Sequence, residues 1–186
     1  IVQRGAIFSP CRRYRYALWR VWDVARPLAL FVCLNPSTAD GQMDDPTVRR
    51  CVGFARTWGY GGVSVANLFA FRAIHPADLK VSPDPVGPDN DAWLTALAGR
   101  ADIVVAAWGN HGTFMNRSRT VFALISNPQC LALTRQGQPA HPLYLKKTLI
   151  PAPLSSPFSP LPTPHPPRLR QSLSLAIIAA LEVFQP

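Results

Sequence analysis

The sequence predicts an α/β protein, a three-layer α/β/α sandwich with a short, mainly parallel central sheet and an N-terminal β-hairpin. Short apolar runs bounded by turn residues recur along the chain, which is typical of strands buried on both faces. Segments with apolar residues at helical spacing lie between these runs. Polar residues collect where the runs end, as expected when parallel strands finish at one edge of a sheet.

The first elements are two β-rich runs, Arg4–Phe8 and Tyr14–Trp22. Tyrosines alternate with Arg13 and Arg15 in the second run, and this period of two indicates a hairpin with one basic face, at a sheet edge or over a core face. The arginines either grip phosphates beside base-stacking tyrosines or form a solvated surface. The candidate nucleic-acid-binding residues are Arg12, Arg13 and Arg15 of the hairpin and Arg49 and Arg50 of the following helix.

A strand–helix–strand unit follows the hairpin. The apolar run Leu28–Leu34 stops at Asn35-Pro36, because proline removes a donor from the sheet and holds the preceding residue extended. A helix is predicted between the two strands. Asp45 is a favoured N-cap residue with proline at the next position, and Gly59 is a favoured residue for the end of the helix. A second apolar run, Val63–Ala66, ends in Asn67. We expect the two strands to be parallel, with a right-handed crossover.

The rest of the sequence predicts two more helices, each followed by a strand, and then a tail. A helix capped by Asp89 or Asn90 precedes a strand over Asp102–Ala107, and a helix over Met115–Ile125 precedes a strand over Cys130–Leu133. We predict one α/β domain over residues 1–150. Residues 151–186 form a proline-rich tail, in which Gln171–Phe184 has the apolar spacing of a short helix.

Composition narrows the class of protein. The net charge of +9 and the isoelectric point of about 10.1 favour a polyanionic partner, most simply nucleic acid. The cysteines are widely separated, and no C-x-x-C, G-x-S-x-G, G-x-G-x-x-G or phosphate-loop motif occurs. We therefore predict no metal and no cofactor. With no apparent signal peptide or membrane span, a cytoplasmic location without membrane contact is expected.

Polar side chains after the predicted strands are the candidate site. Asn35 and Asn67 each offer one acceptor and two donors, which suits holding a water or reading the edge of a planar heterocycle. The alternative is that both amides only bond their own turns. We expect Asn35, Asn67, Trp108 and His141 to line one pocket. The candidate substrate-binding residues are Pro36, Ser37, Asn67, Phe69, Arg72, Trp108 and Tyr144, and the catalytic candidates are Asn35 and His141.

Several segments together resemble a bacterial and phage family known as domain of unknown function 1643. They are RYRYALWRVWD, LNPSTAD, DDPTVRRCVGFARTWGYGG, VANLFAFRA, DPVGPDND, AAWG and GQPAHPLYL, and they span about residues 4–150. The family name implies no activity.

The order of the loop motifs is also similar, more distantly, to the uracil-DNA glycosylase superfamily. This resemblance implies that Asn35 positions a water, Asn67 reads the base and His141 donates to the leaving base. Cys33 stands where that superfamily has glycine, and Leu143 follows His141-Pro142 where it has serine. The implied activity is hydrolysis of an N-glycosidic bond, on DNA rather than RNA. A non-catalytic binder of a nucleotide or modified base and a small-molecule enzyme acting on an acidic substrate remain the alternatives.

Overall fold

A computed structural model describes residues 3–155, which form a seven-stranded sheet with helices on both faces. The strands are β1 (Gln3–Phe8), β2 (Arg15–Val21), β3 (Leu28–Cys33), β4 (Gly62–Asn67), β5 (Ile103–Ala106), β6 (Gln129–Cys130) and β7 (Ala152–Pro153). The helices are α1 (Pro46–Thr57), α2 (Pro76–Val81), α3 (Asn90–Ala98) and α4 (Arg117–Leu124). Two 3-10 helices cover Asn110–Asn116 and Pro142–Tyr144.

The sheet is mixed, and the prediction of a mainly parallel sheet is wrong. The strand order is β1-β2-β4-β3-β5-β6-β7. The central strands β4, β3, β5 and β6 pair in parallel, whereas β1, β2 and β7 pair antiparallel with their neighbours. The predicted hairpin is therefore part of the sheet, because β2 lies directly beside β4.

The β3–α1–β4 unit forms as its local signals predict. Asp45 caps α1, and its Oδ1 accepts a hydrogen bond from the Val48 backbone N–H at 2.8 Å. The helix ends before Gly59, whose φ of +85° is a conformation that glycine adopts without strain. Register pairs Cys33 with Asn67, so β3 and β4 finish together at one edge of the sheet.

Alternate residues of β3 face two separate apolar clusters, which gives the three layers. Ala29 and Phe31 pack with Val48, Cys51 and Phe54 of α1. The intervening residues of β3 pack on the other face, with residues of α3 and α4. Because side chains alternate along a strand, β3 contributes to both cores and is buried on both faces.

A shift in register within the hairpin overturns the prediction that Arg15 is a surface residue. Ile7 pairs with Ala17 but Phe8 pairs with Arg15, so Tyr16 is an extra residue in β2. Such a bulge breaks the period of two. Tyr16 and Ala17 consequently share one cluster, and Arg15 is 2% exposed.

Later elements are shorter than predicted or differently bounded. The 3-10 helix at Asn110–Asn116 precedes α4, and β6 has 2 residues. Strand β7 continues the sheet past residue 150, and Leu154 packs in the core. The rest of the predicted tail, including Gln171–Phe184, lies outside the described residues. Within residues 3–155 no helix has the length and apolarity needed to cross a bilayer.

Gly61 and Gly53 should respond in opposite directions to alanine. A Cβ on Gly61 would lie 1.9 Å from the Asp23 carbonyl oxygen, whereas a Cβ on Gly53, inside α1, would meet nothing within 4 Å. We expect Gly61→Ala to lower the free energy of unfolding by about 1–3 kcal/mol through overpacking. Gly53→Ala should raise it by about 0.5–1 kcal/mol, because alanine favours the helix. Urea denaturation of both variants is the measurement, and equal effects would contradict the packing at Gly61.

Candidate functional site

A cleft of about 570 Å³ opens where the parallel strands end, and we call it the central cleft. Its walls come from the loops after β3, β4 and β5, from the start of α1 and from residues 134–144. Asn35, Asn67, Trp108 and His141 all line it, as predicted. The parallel register explains this, since the ends of adjacent parallel strands meet at one edge.

Asn35 holds its turn and also faces the central cleft. Its Nδ2 donates to the carbonyl oxygens of Pro36 at 3.0 Å and Ala73 at 2.7 Å. Both N–H bonds of the amide are thereby used. Oδ1 accepts no hydrogen bond from residues 3–155, so it is the amide atom available to a water or a ligand.

Asn67 and Arg15 together form the floor of the central cleft. Arg15 Nη2 donates to Asn67 Oδ1 at 3.4 Å, and Arg15 Nη1 donates to the Ala39 carbonyl oxygen at 2.8 Å. This contact fixes the amide of Asn67 with its oxygen towards Arg15. Asn67 Nδ2 donates to no residue in 3–155 and is left for a ligand acceptor. Burial lowers the pKa of Arg15 to about 10, and the negative charge of Asp45 opposes that effect.

His141 is a neutral donor in the wall of the central cleft. Its Nδ1 accepts a hydrogen bond from the Leu143 backbone N–H at 3.4 Å, which leaves the proton of a neutral ring on Nε2. Burial lowers the pKa of His141, with Asp45 acting in the opposite direction. The loop of His141 is fixed to α1, because Arg50 Nε donates to the Pro142 carbonyl oxygen at 3.3 Å.

Asp45 is a cleft residue that the sequence indicated only as a helix cap. It caps α1 and also lines the central cleft, where it is 9% exposed. Its negative charge acts on both Arg15 and His141, so one carboxylate interacts electrostatically with two basic side chains of the cleft. Within residues 3–155, no group of three or more His, Cys, Asp or Glu side chains is arranged to hold a metal ion.

The other predicted substrate-binding residues divide between the cleft and the core. Ser37 lines the central cleft, and Tyr144 stands at its rim with 89% of its surface exposed. Phe69 was predicted to bind substrate, but it is fully buried against Phe114 and does not line the cleft. Pro36 is buried beneath the turn and contributes its carbonyl oxygen to Asn35. Trp108 packs in the wall and donates from Nε1 to Gln138 Oε1 at 3.1 Å.

A second, basic groove of about 370 Å³ adjoins the central cleft. Arg12, Arg13 and Arg72 line it, and the guanidinium groups of Arg12 and Arg72 lie over the ring of Phe8. We call it the basic groove. It shares Ser37, Ala73 and Ile74 with the central cleft, so the two sites have a common wall.

Arg49 and Arg50 lie on α1, outside the basic groove. Arg49 Nη1 donates to the Asp44 carbonyl oxygen at 2.6 Å, and the Arg50 guanidinium lies over the Phe54 ring. Arg50 therefore has a structural contact in addition to any surface role. Of the predicted phosphate-binding arginines, the structure brings Arg12 and Arg13 together with Arg72, and places Arg15 in the central cleft instead.

Comparison with known proteins gives one match. A family model described as Protein of unknown function (DUF1643) matches residues 15–143, a range that includes every residue lining the central cleft except Tyr144. No curated protein and no solved structure matches the chain. The resemblance to the uracil-DNA glycosylase superfamily therefore stays a prediction.

Proposed function

The chain belongs to the family Protein of unknown function (DUF1643), as the first resemblance predicted, and since that name carries no activity we propose one from the central cleft. The proposal is a nucleic-acid-directed protein of glycosylase-like architecture that binds a nucleobase in the central cleft and hydrolyses its N-glycosidic bond. DNA is favoured over RNA as the polymer. No cofactor is required in this proposal.

One observation carries the proposal: three side chains that line the central cleft have free polar atoms of the kinds that this hydrolysis uses. Asn35 has a free acceptor, which orients a water, and Asn67 has a free donor for the base. His141 has its proton on Nε2, where it can donate to the departing base. These atoms come from separate segments of the chain, and each side chain is fixed by another hydrogen bond to the protein.

The charges in the central cleft also suit the reaction. Breaking an N-glycosidic bond develops positive charge on the sugar and negative charge on the base. Asp45 supplies a carboxylate, and Arg15 and His141 supply donors. Groups fixed in advance near developing charge stabilise the transition state without reorganisation.

The basic groove supplies the nucleic-acid part of the proposal. We assign its arginines to the phosphates next to the base in the central cleft, because the two sites share a wall. A base must leave its stack to reach such a cleft, and contacts to the flanking phosphates position the strand.

The direct test uses oligonucleotides that each carry one modified base. The protein is incubated with the panel in single turnover, and mass spectrometry detects abasic sites and retained bases. Release by the parent protein supports hydrolysis, and loss of release with unchanged binding in Asn35→Ala assigns the water to Asn35. Tight binding with no release over long incubation leaves the non-catalytic binder, for which the buried turn contacts of Asn35 already give a structural role. Parallel DNA and RNA panels decide the polymer.

Binding to single-stranded DNA should depend steeply on salt through the basic groove. Each phosphate contact contributes a log–log slope of about −0.7 on single strands. Arg13→Gln should weaken binding of all sequences alike and reduce the slope by about one such contact. Arg49→Gln is the matched control, because Arg49 is an exposed arginine outside the groove.

Fluorescence anisotropy between 50 and 200 mM salt, the range over which phosphate contacts lose most affinity, measures both slopes. Salt-independent binding, or an equal loss in the two variants, would contradict the assignment of the groove to phosphates. It would favour a small-molecule enzyme acting on an acidic substrate.

A further inference from the structure

The floor of the central cleft contains a buried guanidinium whose charge no neighbouring side chain neutralises directly. Arg15 is 2% exposed, and no carboxylate of residues 3–155 lies within 4.0 Å of it. Its partners are the neutral oxygens of Ala39 and Asn67. A buried charge without an ion-pair partner in direct contact is expensive even though the charge of Asp45 offsets part of the cost, so its presence at a cleft points to a ligand that completes its hydrogen bonds.

The unused atoms of this floor are all donors. A guanidinium has five N–H bonds. Arg15 uses one on Nη1 and one on Nη2, which leaves one N–H on each of these atoms for a ligand; the Nε–H also has no acceptor among residues 3–155, but it is covered by protein. Asn67 adds its free Nδ2 group, because its Oδ1 is already bonded to Arg15. The floor therefore suits a ligand edge made of acceptors and disfavours an edge that carries its own donor.

We propose that Arg15 and Asn67 form a subsite that selects a nucleobase edge with two adjacent acceptors, as in the O6 and N7 atoms of guanine or hypoxanthine. This inference rests on the proposed function and adds its substrate class. The planar fork of arginine matches that edge in a bidentate manner, whereas adenine presents a donor beside N7 and cytosine presents a donor at N4. Arg15 is then the specificity-determining residue.

The position of Arg15 also relates this choice to the chemistry. A base that leaves with its bonding electron pair acquires negative charge, and a water supplies the hydroxyl that the sugar carbon gains and the proton that the base gains. Donors at the floor stabilise that charge along the N7 and O6 edge of the base. Asn35, to which the proposed function assigns the water, belongs instead to the loop after β3.

The test measures binding of four 5′-monophosphates by equilibrium dialysis: those of guanosine, inosine, adenosine and 7-deazaguanosine. We expect the parent protein to bind the first two about tenfold or more tightly than the last two. The 7-deazaguanosine compound lacks only the N7 acceptor, so this comparison needs no mutation. Arg15→Gln should remove the preference, and Arg15→Lys should keep only part of it because lysine has no fork.

Arg13→Gln is the matched control, since Arg13 lies in the basic groove rather than on the floor. It should weaken all four monophosphates alike and leave the preference intact. Binding without a preference, or a preference that survives Arg15→Gln in a folded variant, overturns the inference and spares the proposed function. If none of the monophosphates and none of the oligonucleotides binds, the proposed function fails and this inference fails with it.

Discussion

His141→Asn is expected to slow release of a base about 10²–10³-fold in single turnover while changing affinity little. The reason is that asparagine can still accept the hydrogen bond from the Leu143 backbone N–H, as an Asx turn does, but has no donor at the position of Nε2. Loss of one donor to a developing negative charge has an effect of this size. The change appears in rate because that charge is largest in the transition state.

Two further variants separate the donor from the fold. His141→Gln places an amide N–H near the position of Nε2, so it should recover part of the rate that His141→Asn loses. His75→Asn is the control for removal of a histidine, because His75 is an exposed residue before α2 and does not line the cleft. A His141→Asn protein with normal single-turnover rates would remove His141 from the mechanism.

The same histidine predicts a pH dependence of stability. Burial lowers the pKa of His141 in the folded protein, whereas a histidine in an unfolded chain has a pKa of about 6.5. The unfolded chain therefore binds more protons between the two values, and stability rises with pH across that window. The contribution is present above the unfolded pKa and is lost as the pH falls through the folded pKa. Thermal denaturation of His141→Asn should show a weaker fall in melting temperature over this range.

Arg20→Ala is expected to lower the free energy of unfolding by about 2–4 kcal/mol, because it removes the fully buried partner of an ion pair whose carboxylate, on Asp44, is 25% exposed. The Arg20 side chain is fully buried, and its Nη2 lies 2.7 Å from Asp44 Oδ1. It also donates to the carbonyl oxygens of Trp19 and Asp40 at 2.8 and 2.7 Å. Alanine would leave the carboxylate and these carbonyl groups without their donor.

Arg4→Ala provides the matched control for Arg20→Ala. Arg4 also reaches this loop, through a 3.4 Å hydrogen bond to the Gln42 carbonyl oxygen, but it is exposed. Its removal should change stability by less than about 0.5 kcal/mol. Guanidinium denaturation of both variants is the measurement. A loss below about 1 kcal/mol for Arg20→Ala would mean that water replaces its bonds and that the loop before α1 does not depend on it.

The elements that follow from local signals were predictable. Asp45, its following proline and Gly59 define α1 by capping and backbone preference, which depend on only a few neighbouring residues. The joint placement of Asn35 and Asn67 also follows, because parallel pairing brings strand ends to one edge. Membership of the DUF1643 family followed from the order of the motifs in the sequence.

The features that depend on long-range pairing were not predictable. The extra residue at Tyr16 shifts the register of β2, and no period-two pattern reveals a bulge. Arg15 therefore reads as a surface arginine in the sequence and is the floor of a cleft in the structure. Phe69 follows β4 by two residues and looks like a loop aromatic, but Phe114 from a distant segment covers it. Strand β7 was not predicted, because it contains Pro153 and proline is disfavoured in strands.

The wall shared by the basic groove and the central cleft has a consequence for substrate length. Ala73 lies in both sites, its carbonyl oxygen accepts from Asn35 Nδ2, and its N–H donates to the Pro36 carbonyl oxygen at 2.9 Å. A ligand in the basic groove therefore touches a wall that is hydrogen-bonded to Asn35, the residue proposed to hold the water. Under the proposed function, binding energy from a remote phosphate can then be expressed as rate, so we expect a substrate truncated to a lone nucleoside to lose turnover as well as affinity.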